Sequence, residues 1–436
     1  MILIKDGRLI DPKSGTDEVL DVVLDGAKVK NIGRFHRSDR YEEIVEAAGK
    51  IVTPGFVDVH VHFRDPGLTY KEDISTGAAA AARGGFTSVV CMANTKPPVD
   101  NAQTLALVLA KAKRQRIHVY TVACVSKGML GRELTDMDAL FAGGAAGFSD
   151  DGIPLTDSAF VQRAMRKCAK LGAPISLHEE DPALIGSHGV NRGRVSEKLG
   201  VSGAPAVSES SLVARDCMIA LDTGAAVNIQ HVSSAASVEA IRLAKSMGAH
   251  VWAEATPHHF SLTENDTERF GAMAKVNPPL RTENDRYAII RGLQDGTIDL
   301  IASDHAPHSA EEKSKPFAEA PSGMIGLETS LALGLTHLVH TGHLSLLQLV
   351  GKMSWNPARL YHLDAGYLAE GGPADLVIFD EQENWKVESF ASKAKNSPFL
   401  GQTLSGKVKA CICAGQTVYC DNDEKGGQNV GDRLGK

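Results

Sequence analysis

The 436-residue sequence lacks several features that mark particular classes of protein. It has no run of about 18 apolar residues, as a membrane-spanning helix needs, and its start, MILIKDGRLI, lacks the plan of a secretory signal peptide. It has no run of basic residues, and its net charge of −7 argues against a nucleic-acid surface. Its seven cysteines are scattered, odd in number and without zinc-finger spacing, so we expect a reducing cytoplasm.

The two ends of the chain share one pattern. Residues 1–52 and 366–422 contain short runs of β-forming residues, which Asp-Gly and Gly turns separate. Neither piece is large enough to fold alone, so we expect the two to pair into one small β-domain, a β-sandwich built from both termini. The last residues, 423–436, are rich in glycine and charge and are predicted to be disordered.

The middle of the chain, residues 53–365, has a different pattern. Short β-rich runs recur at the spacing of βα units, and Ala- and Leu-rich helical stretches lie between most of them. The runs are 56–62, 86–92, 117–123, 145–150, 174–178, 226–233, 250–257 and 299–304. Eight strands with helical crossovers predict an α/β fold, a (β/α)8 TIM barrel. A doubly wound open sheet is the alternative, but no Gly-x-Gly-x-x-Gly follows an early strand.

The first barrel strand carries the most informative residues. His60 and His62 are two positions apart, so both point to the same side of a strand and can hold one metal ion. Arg64 continues this register just past the strand, where a guanidinium can clamp a carboxylate. An isolated His-x-His is often accidental, so the other strands must decide.

Polar residues follow the other strands in the same way. The residues at or near the carboxyl ends of strands two, four, five, six and eight are Asn94, Asp150 with Asp151, His178, His231 and Asp304. Barrel enzymes build their sites at this face. Four imidazoles with one or two carboxylates suit two zinc ions, and less exclusively manganese, cobalt or iron. Asp304 is the candidate proton shuttle, whereas Asp150 and Asp151 both remain open as the bridging ligand.

These motifs resemble those of the larger bacterial (type I) dihydroorotases in the amidohydrolase superfamily. The resemblance runs from residue 1 to about 422. Its first mark is PGFVDVHVHFRDPG at 54–67, and the others are 93–95, 148–152, 177–181, 230–233, 276–281 and 303–308. Each motif alone is weak, but together they are specific. Hydantoinase relatives carry a CO2-bearing lysine on the fourth strand, where this chain has Ser-Asp-Asp-Gly.

The resemblance implies a role for each site residue. Two zinc ions per subunit are expected, with a labile second ion as an open alternative: His60, His62 and Asp304 would bind one, His178 and His231 the other, and Asp151 would bridge them. Asp304 would also act as general acid and base. The residues expected to hold the substrate are Arg64, Asn94 and His308 at its carboxylate and ring, Asn277 at the ring amide, and Ser322 and Gly323 through their backbone. The segment 309–323 would close over the substrate, and Glu179 departs from the residue expected beside His178.

The activity implied is reversible cyclisation of N-carbamoyl-L-aspartate to (S)-dihydroorotate, with loss of water, in de novo pyrimidine (UMP) synthesis. Aspartate carbamoyltransferase and a second copy of the chain are the expected partners. One rival is another cyclic amidase, a hydantoinase or an allantoinase. A second rival is a non-catalytic subunit that scaffolds aspartate carbamoyltransferase. Such subunits typically lack the metal histidines that are present in this chain.

Overall fold

A computed structural model describes residues 1–36 and 41–421; the tail predicted to be disordered, 423–436, lies outside the described residues. The strands are β1 Ile2–Asp11, β2 Thr16–Asp25, β3 Lys28–Gly33, β4 Glu43–Glu46, β5 Ile51–Pro54, β6 Phe56–Val61, β7 Phe86–Cys91, β8 His118–Thr121, β9 Ile175–Leu177, β10 Val227–Ile229, β11 Val251–Ala255, β12 Leu300–Ile301, β13 Leu376–Lys386, β14 Thr403–Cys413 and β15 Gln416–Cys420.

The α-helices lie mostly between the barrel strands. They are α1 Ile74–Arg83, α2 Ala102–Ala112, α3 Met137–Ala142, α4 Ser158–Leu171, α5 Arg194–Lys198, α6 Ala206–Thr223, α7 Ala235–Ser246, α8 Pro257–Ser261, α9 Glu264–Phe270, α10 Glu283–Asp295, α11 Ala310–Lys313, α12 Ser330–Gly334, α13 Leu346–Met353 and α14 Trp355–Leu360. None of the helices in 1–36 and 41–421 is long and apolar enough to cross a membrane.

Strands from both chain ends form one eight-stranded sheet. Its order is β15-β14-β13-β5-β1-β2-β3, and β4 pairs with β1. The two ends meet where β13 runs antiparallel to β5. Apolar side chains from both ends, such as Ile4, Val22 and Ile378, share one small core. The predicted pairing of the termini is therefore present, whereas their arrangement as a sandwich stays a prediction.

Parallel strands form the barrel in two hydrogen-bonded groups, β6-β7-β8 and β9-β10-β11-β12. A parallel bridge between Val61 and His305 joins the last strand position to the first and closes the ring. The fold class is therefore the predicted α/β barrel. All residues of β6 and β7 are buried, as expected for parallel strands with helices on one face and side chains filling the other.

The fourth strand, predicted over 145–150, is short, and its backbone is hydrogen-bonded to the neighbouring strands from Ala146 to Ser149. Phe148 bridges Ala123 on one side and Ile175 on the other, which keeps the ring continuous. After Ser149 the next carboxylate turns to the preceding loop, where Asp150 Oδ1 accepts hydrogen bonds from Val125 N at 2.7 Å and Ser126 N at 3.2 Å.

Three phenylalanines connect the barrel to the terminal sheet. The Phe56 ring lies 5.7 Å from Phe86 on the next barrel strand and 6.3 Å from Phe379 on β13. All three rings are buried. Because they come from three different strands, their packing fixes the sheet against the end of the barrel at which β6 and β7 begin.

We expect the Phe379→Ala variant to lose about 3–5 kcal/mol of unfolding free energy, because the deletion leaves a cavity between sheet and barrel. Urea denaturation followed by circular dichroism measures the loss. Leu130→Ala, at a residue 69% exposed, is the control and should change stability by at most about 0.5 kcal/mol. Equal stability of the two variants would show that this contact does not hold the sheet to the barrel.

Candidate metal centre

The predicted metal ligands meet at the carboxyl ends of the barrel strands. His60 and His62 lie on or just after β6, His178 follows β9, His231 follows β10 by two residues, and Asp304 follows β12. Parallel strands end at the same rim of a barrel, so residues distant in sequence become neighbours there. All of these side chains are buried.

Asp151 lies at the centre of this group. Its Oδ1 is 3.4 Å from His60 Nε2, and its Oδ2 is 3.4 Å from His62 Nε2. On the other side, Oδ1 is 3.6 Å from both His178 Nδ1 and His231 Nε2. The two groups of possible metal ligands, His60 with His62 and His178 with His231, therefore share this one carboxylate.

Asp304 lies beside the first histidine pair only. Its Oδ1 is 3.0 Å from His62 Nε2 and 3.5 Å from His60 Nε2. Asp150, the alternative bridging residue, points away into the loop at Val125 and Ser126. The geometry thus separates the two adjacent aspartates, and only Asp151 faces the imidazoles.

Opposite charges compensate one another in this cluster. Burial would raise the pKa of the Asp151 and Asp304 carboxyls, but the charge of His60 and the contacts of the other histidines together outweigh it and hold both pKa values below their usual range. Burial opposes protonation of His178, yet Asp151 and Glu180 raise its pKa to about 10. Protons on the imidazoles therefore balance the negative charge of the carboxylates. A bound divalent cation would balance the same charge with the imidazoles neutral.

The donor set fits such a cation. Asp151 Oδ1 is buried and accepts no hydrogen bond from the described part of the chain, although buried carboxylate oxygens normally have a partner. The histidine nitrogens and aspartate oxygens of the cluster are 3.0–3.6 Å apart. Ligands around one tetrahedral zinc ion have about this separation when the bonds are about 2.0–2.2 Å long. The residues can hold one or two ions without a change of fold.

Three polar side chains behind the histidines orient the rings. Glu254 Oε2 lies 2.9 Å from His60 Nδ1, Glu180 Oε2 lies 3.1 Å from His178 Nε2, and Asn94 Oδ1 lies 3.0 Å from His62 Nδ1. Each takes the nitrogen that faces away from the centre, so the other nitrogen can bind metal.

Sequence reasoning missed Glu254 and Glu180 as partners of the histidines. Glu254 is a carboxylate within the otherwise apolar seventh strand, and that unusual position is a usable signal. Its Oε1 also accepts a hydrogen bond from Asn228 Nδ2 at 2.6 Å, and the same Nδ2 donates to Ser176 Oγ at 3.0 Å. A buried polar chain thus ties His60 to two neighbouring strands.

Backbone conformation at three predicted site residues is unusual. Arg64, His231 and Asp304 have φ values of 58°, 35° and 45°, in the left-handed region that residues other than glycine rarely adopt. Such a conformation costs about 1–3 kcal/mol and persists where surrounding contacts enforce it, often at functional sites. The rim is therefore strained at the residues that aim into its centre.

A cavity of about 190 Å³ opens above the cluster. Eleven of the twelve residues predicted for the site line it, and His60 lies buried behind them. The residues are His62, Asp151, His178, His231, Asp304, Arg64, Asn94, Asn277, His308, Ser322 and Gly323. The wall also includes Gly152 and Ala306, which sequence reasoning did not select.

Arg64 brings a cation to this cavity. Its Nε donates to Pro307 O at 3.3 Å, while its Nη atoms donate to no group among residues 1–36 and 41–421. Burial lowers the pKa of Arg64, but the nearby carboxylates of Asp304 and Asp151 oppose the shift. An arginine always carries its charge in proteins, so the two Nη groups can bind an anion.

His308 is a neutral ring in the same wall. Lys71 Nζ lies 3.2 Å from its Nδ1, which leaves the proton on Nε2 to donate to Ser322 O at 2.8 Å. Burial, followed by the charges of Arg64, Lys71 and Lys313, lowers the pKa of His308 to about 2. The ring is therefore hydrogen-bonded to the 309–323 segment and is not free.

Two buried lysines hold the 309–323 segment against the cavity. Lys313 Nζ donates to Pro321 O at 3.0 Å and Gly323 O at 2.9 Å, and Lys275 Nζ donates to Phe317 O and Ala320 O at 2.7 and 2.8 Å. The segment is thus an ordered wall.

Gly323 fills a place that no larger residue can. Its φ is 131°, and a Cβ there would lie 2.8 Å from the Ala306 Cβ and 3.0 Å from His308 Nε2. A glycine lets the backbone of the segment approach the cavity closely.

Glu179 points away from the metal ligands. Burial, together with the charge of Asp216, raises its pKa well above the usual range. The departure noted in the sequence therefore faces helix α6 and leaves the imidazole of His178 unobstructed.

We expect the Glu254→Gln variant to bind metal about 10–100-fold more weakly, because the loss of the carboxylate weakens His60 as a ligand. Competition with a chromophoric chelator measures the affinity. Glu239→Gln, at an exposed position of helix α7, is the matched control. An unchanged affinity in Glu254→Gln would contradict the role of this carboxylate.

Comparison with known proteins agrees with this geometry. The family described as "Dihydro-orotase-like" matches residues 49–237. A dihydroorotase of Clostridioides difficile (strain 630) is 58% identical over 419 residues, which cover 96% of this chain and all of the relative. One from Lactococcus lactis subsp. lactis (strain IL1403) is 55% identical over 96% of this chain and 99% of its own.

Solved structures give the same fold. The L-hydantoinase (dihydropyrimidinase) of Arthrobacter aurescens superposes with a TM-score of 0.85 at 27% identity and covers 95% of both chains. The D-hydantoinase (dihydropyrimidinase) of a Thermus species has a TM-score of 0.82 at 25% identity, over 96% of this chain and 95% of its own. With identities above 50% over almost the whole length of its relatives, the chain belongs to the dihydroorotase family.

Proposed function

We infer that this protein is a dihydroorotase, which interconverts N-carbamoyl-L-aspartate and (S)-dihydroorotate in pyrimidine synthesis. The observation that carries the inference is a single cavity in which Asp151 joins two histidine pairs and Arg64 presents uncommitted Nη donors. A metal-dependent cyclic amidase needs the first feature, and an acidic ring substrate needs the second. The curated relatives carry the same name.

The cavity suits a small anionic ring. Its volume of about 190 Å³ is below the about 300–1,000 Å³ of pockets for drug-sized ligands. We propose that Arg64 binds the substrate carboxylate through its Nη atoms, with Asn94 and His308 beside it. Asn277, whose Oδ1 accepts from Ser322 Oγ at 2.9 Å, has its Nδ2 available for the ring amide. Ser322 and Gly323 would contact the ring through their backbone.

The metal ions we propose are two zinc ions, one of them labile. His60, His62 and Asp304 would hold one, His178 and His231 the other, and Asp151 would be shared. When bound, such ions make water available as hydroxide near neutral pH and polarise a carbonyl oxygen. The geometry of the ligand side chains supports this assignment, and metal analysis of the purified protein tests the number and identity of the ions.

Asp304 is the group that we propose moves the proton. In ring opening, its carboxylate accepts the proton of the attacking water and donates it to the departing amide nitrogen; in ring closure the order reverses. Nearby positive charge keeps the pKa of Asp304 below its usual range, so the group begins as a base. The left-handed backbone at Asp304 holds it at the rim, next to His62.

One observation favours a second candidate, a hydantoinase: the superposed solved structures include hydantoinases. These share about a quarter of the sequence, whereas the dihydroorotases share more than half. The guanidinium of Arg64 faces the cavity and favours a substrate that bears a carboxylate. A panel of dihydroorotate, hydantoin and allantoin separates the two activities.

Organisation and partners complete the proposal. We propose a barrel domain over 53–365 and a sandwich domain from 1–52 and 366–422, with the contact between them as described. Residues of the second segment also reach the site, since Asn396 Nδ2 donates to Gly323 O at 3.1 Å and Asn396 Oδ1 accepts from His308 N. Aspartate carbamoyltransferase and a second copy of the chain are the proposed partners, in the cytoplasm.

We expect the purified chain, supplemented with zinc, to hydrolyse dihydroorotate and to lose this activity on chelation. Loss of the ultraviolet absorbance of the ring follows the reaction. Restoration by added zinc is the control for denaturation. Zinc-loaded protein that turns over hydantoin but not dihydroorotate would contradict the proposed substrate. Activity only after addition of aspartate carbamoyltransferase would identify that enzyme as a required partner.

We expect Arg64→Ala to lose at least about 10²-fold in kcat/KM for dihydroorotate, because a charged hydrogen bond to the carboxylate is removed and the substrate is misplaced. Metal content should stay near that of the wild type, because Arg64 is not among the metal ligands. Arg192→Ala, at an exposed arginine, is the matched control. Undiminished turnover in Arg64→Ala would contradict the clamp.

A further inference from the structure

A second cluster of metal-binding side chains lies away from the cavity. His118 is the first residue of β8, Asp375 directly precedes β13, and Cys413 is the last residue of β14. One ring nitrogen, one carboxylate oxygen and the sulfur all lie within 4.8 Å of one another. Because His118 begins its strand, this cluster is at the opposite end of the barrel from the candidate metal centre.

We propose that His118, Asp375 and Cys413 form a separate binding site for zinc or a similar thiophilic divalent ion. The proposal does not depend on the dihydroorotase activity. An imidazole, a carboxylate and a thiolate are the three side-chain types that bind zinc, and thiolate favours soft ions over magnesium or calcium. Three protein ligands leave a fourth tetrahedral position for water.

The existing contacts orient the donors towards one point. His118 Nε2 lies 3.0 Å from Asp375 Oδ2, close to the separation of two ligands on one zinc ion. The other carboxylate oxygen, Asp375 Oδ1, accepts from Ala414 N at 2.7 Å, which fixes the plane of the carboxylate. Such support behind a ligand is usual in metal sites.

The sulfur is not needed for the ion pair between His118 and Asp375. Cys413 Sγ contacts Thr87 O at 3.7 Å and lies within hydrogen-bonding reach of the Asp375 carboxylate, and both Cys413 and Asp375 are 2% exposed. A plain ion pair between barrel and sheet would be complete without a thiol beside it. The position of Cys413 is therefore explained better by a metal ligand than by the ion pair alone.

Solvent reaches the cluster through His118. Its side chain is 39% exposed, and a cavity of about 310 Å³ is lined by His118, Tyr120 and Lys113 among others. An ion and its water can enter there, whereas Asp375 and Cys413 are shielded. A bound ion would connect β8 of the barrel to β13 and β14 of the terminal sheet and would stabilise the native state by mass action.

Cadmium titration of the full-length protein tests the site, since a cadmium thiolate has an ultraviolet charge-transfer band. The candidate metal centre has only nitrogen and oxygen ligands, so it does not contribute to this band. We expect about one equivalent of thiolate-bound cadmium per chain and displacement by zinc. The band should be absent in Cys413→Ser. In His118→Ala the apparent affinity for cadmium, measured from the band, should be about 10–100-fold weaker.

Two further cysteine variants are the matched controls. Cys411→Ser removes the thiol two positions away on the same strand, and Cys420→Ser removes the exposed thiol; both should retain the band. Circular dichroism and dihydroorotate hydrolysis confirm folding of each variant. The proposal is overturned if wild type gives no band, if Cys413→Ser retains it, or if His118→Ala, whose change lies at the exposed rim, binds cadmium as tightly as wild type.

Discussion

The site depends on one shared carboxylate at the rim of a closed barrel. Asp151 is within 3.6 Å of four imidazole nitrogens that come from three different strand positions. Four buried imidazoles would be poorly placed without an anion between them, and a buried carboxylate would be costly without cations around it. The short fourth strand makes this possible, because Asp151 follows its last paired residue, Ser149, by two positions.

The barrel wall makes that arrangement rigid. Glu254, Glu180 and Asn94 each hold the outward nitrogen of one histidine, and Glu254 is itself held by Asn228 on the neighbouring strand. Contacts within the wall also sustain the left-handed backbone at His231 and Asp304. The ligand geometry and the proposed substrate clamp and proton shuttle therefore derive from the same set of strand ends.

Much of this site could be predicted, because strand periodicity places His60 and His62 on one side and the ends of parallel strands meet at one rim. Other features could not. The residue pattern left Asp150 and Asp151 open and only the family resemblance favoured Asp151, because no local pattern encodes the hydrogen bonds of Asp150 to the 125–126 loop. Glu254 was missed because its partner, His60, is 194 residues away in the sequence. The hydrogen bond from His308 to Ser322 O depends on the position of Lys71, which contacts the other nitrogen of the ring.

The sequence by itself determined the fold class, the pairing of the two termini and the residue types of the candidate metal centre, because periodicity and strand order are local properties. Only the tertiary structure decided which oxygen faces which nitrogen, that the 309–323 segment is held by Lys275 and Lys313, and that His118, Asp375 and Cys413 meet. These depend on contacts between distant segments, and packing of the whole barrel against the sheet sets them.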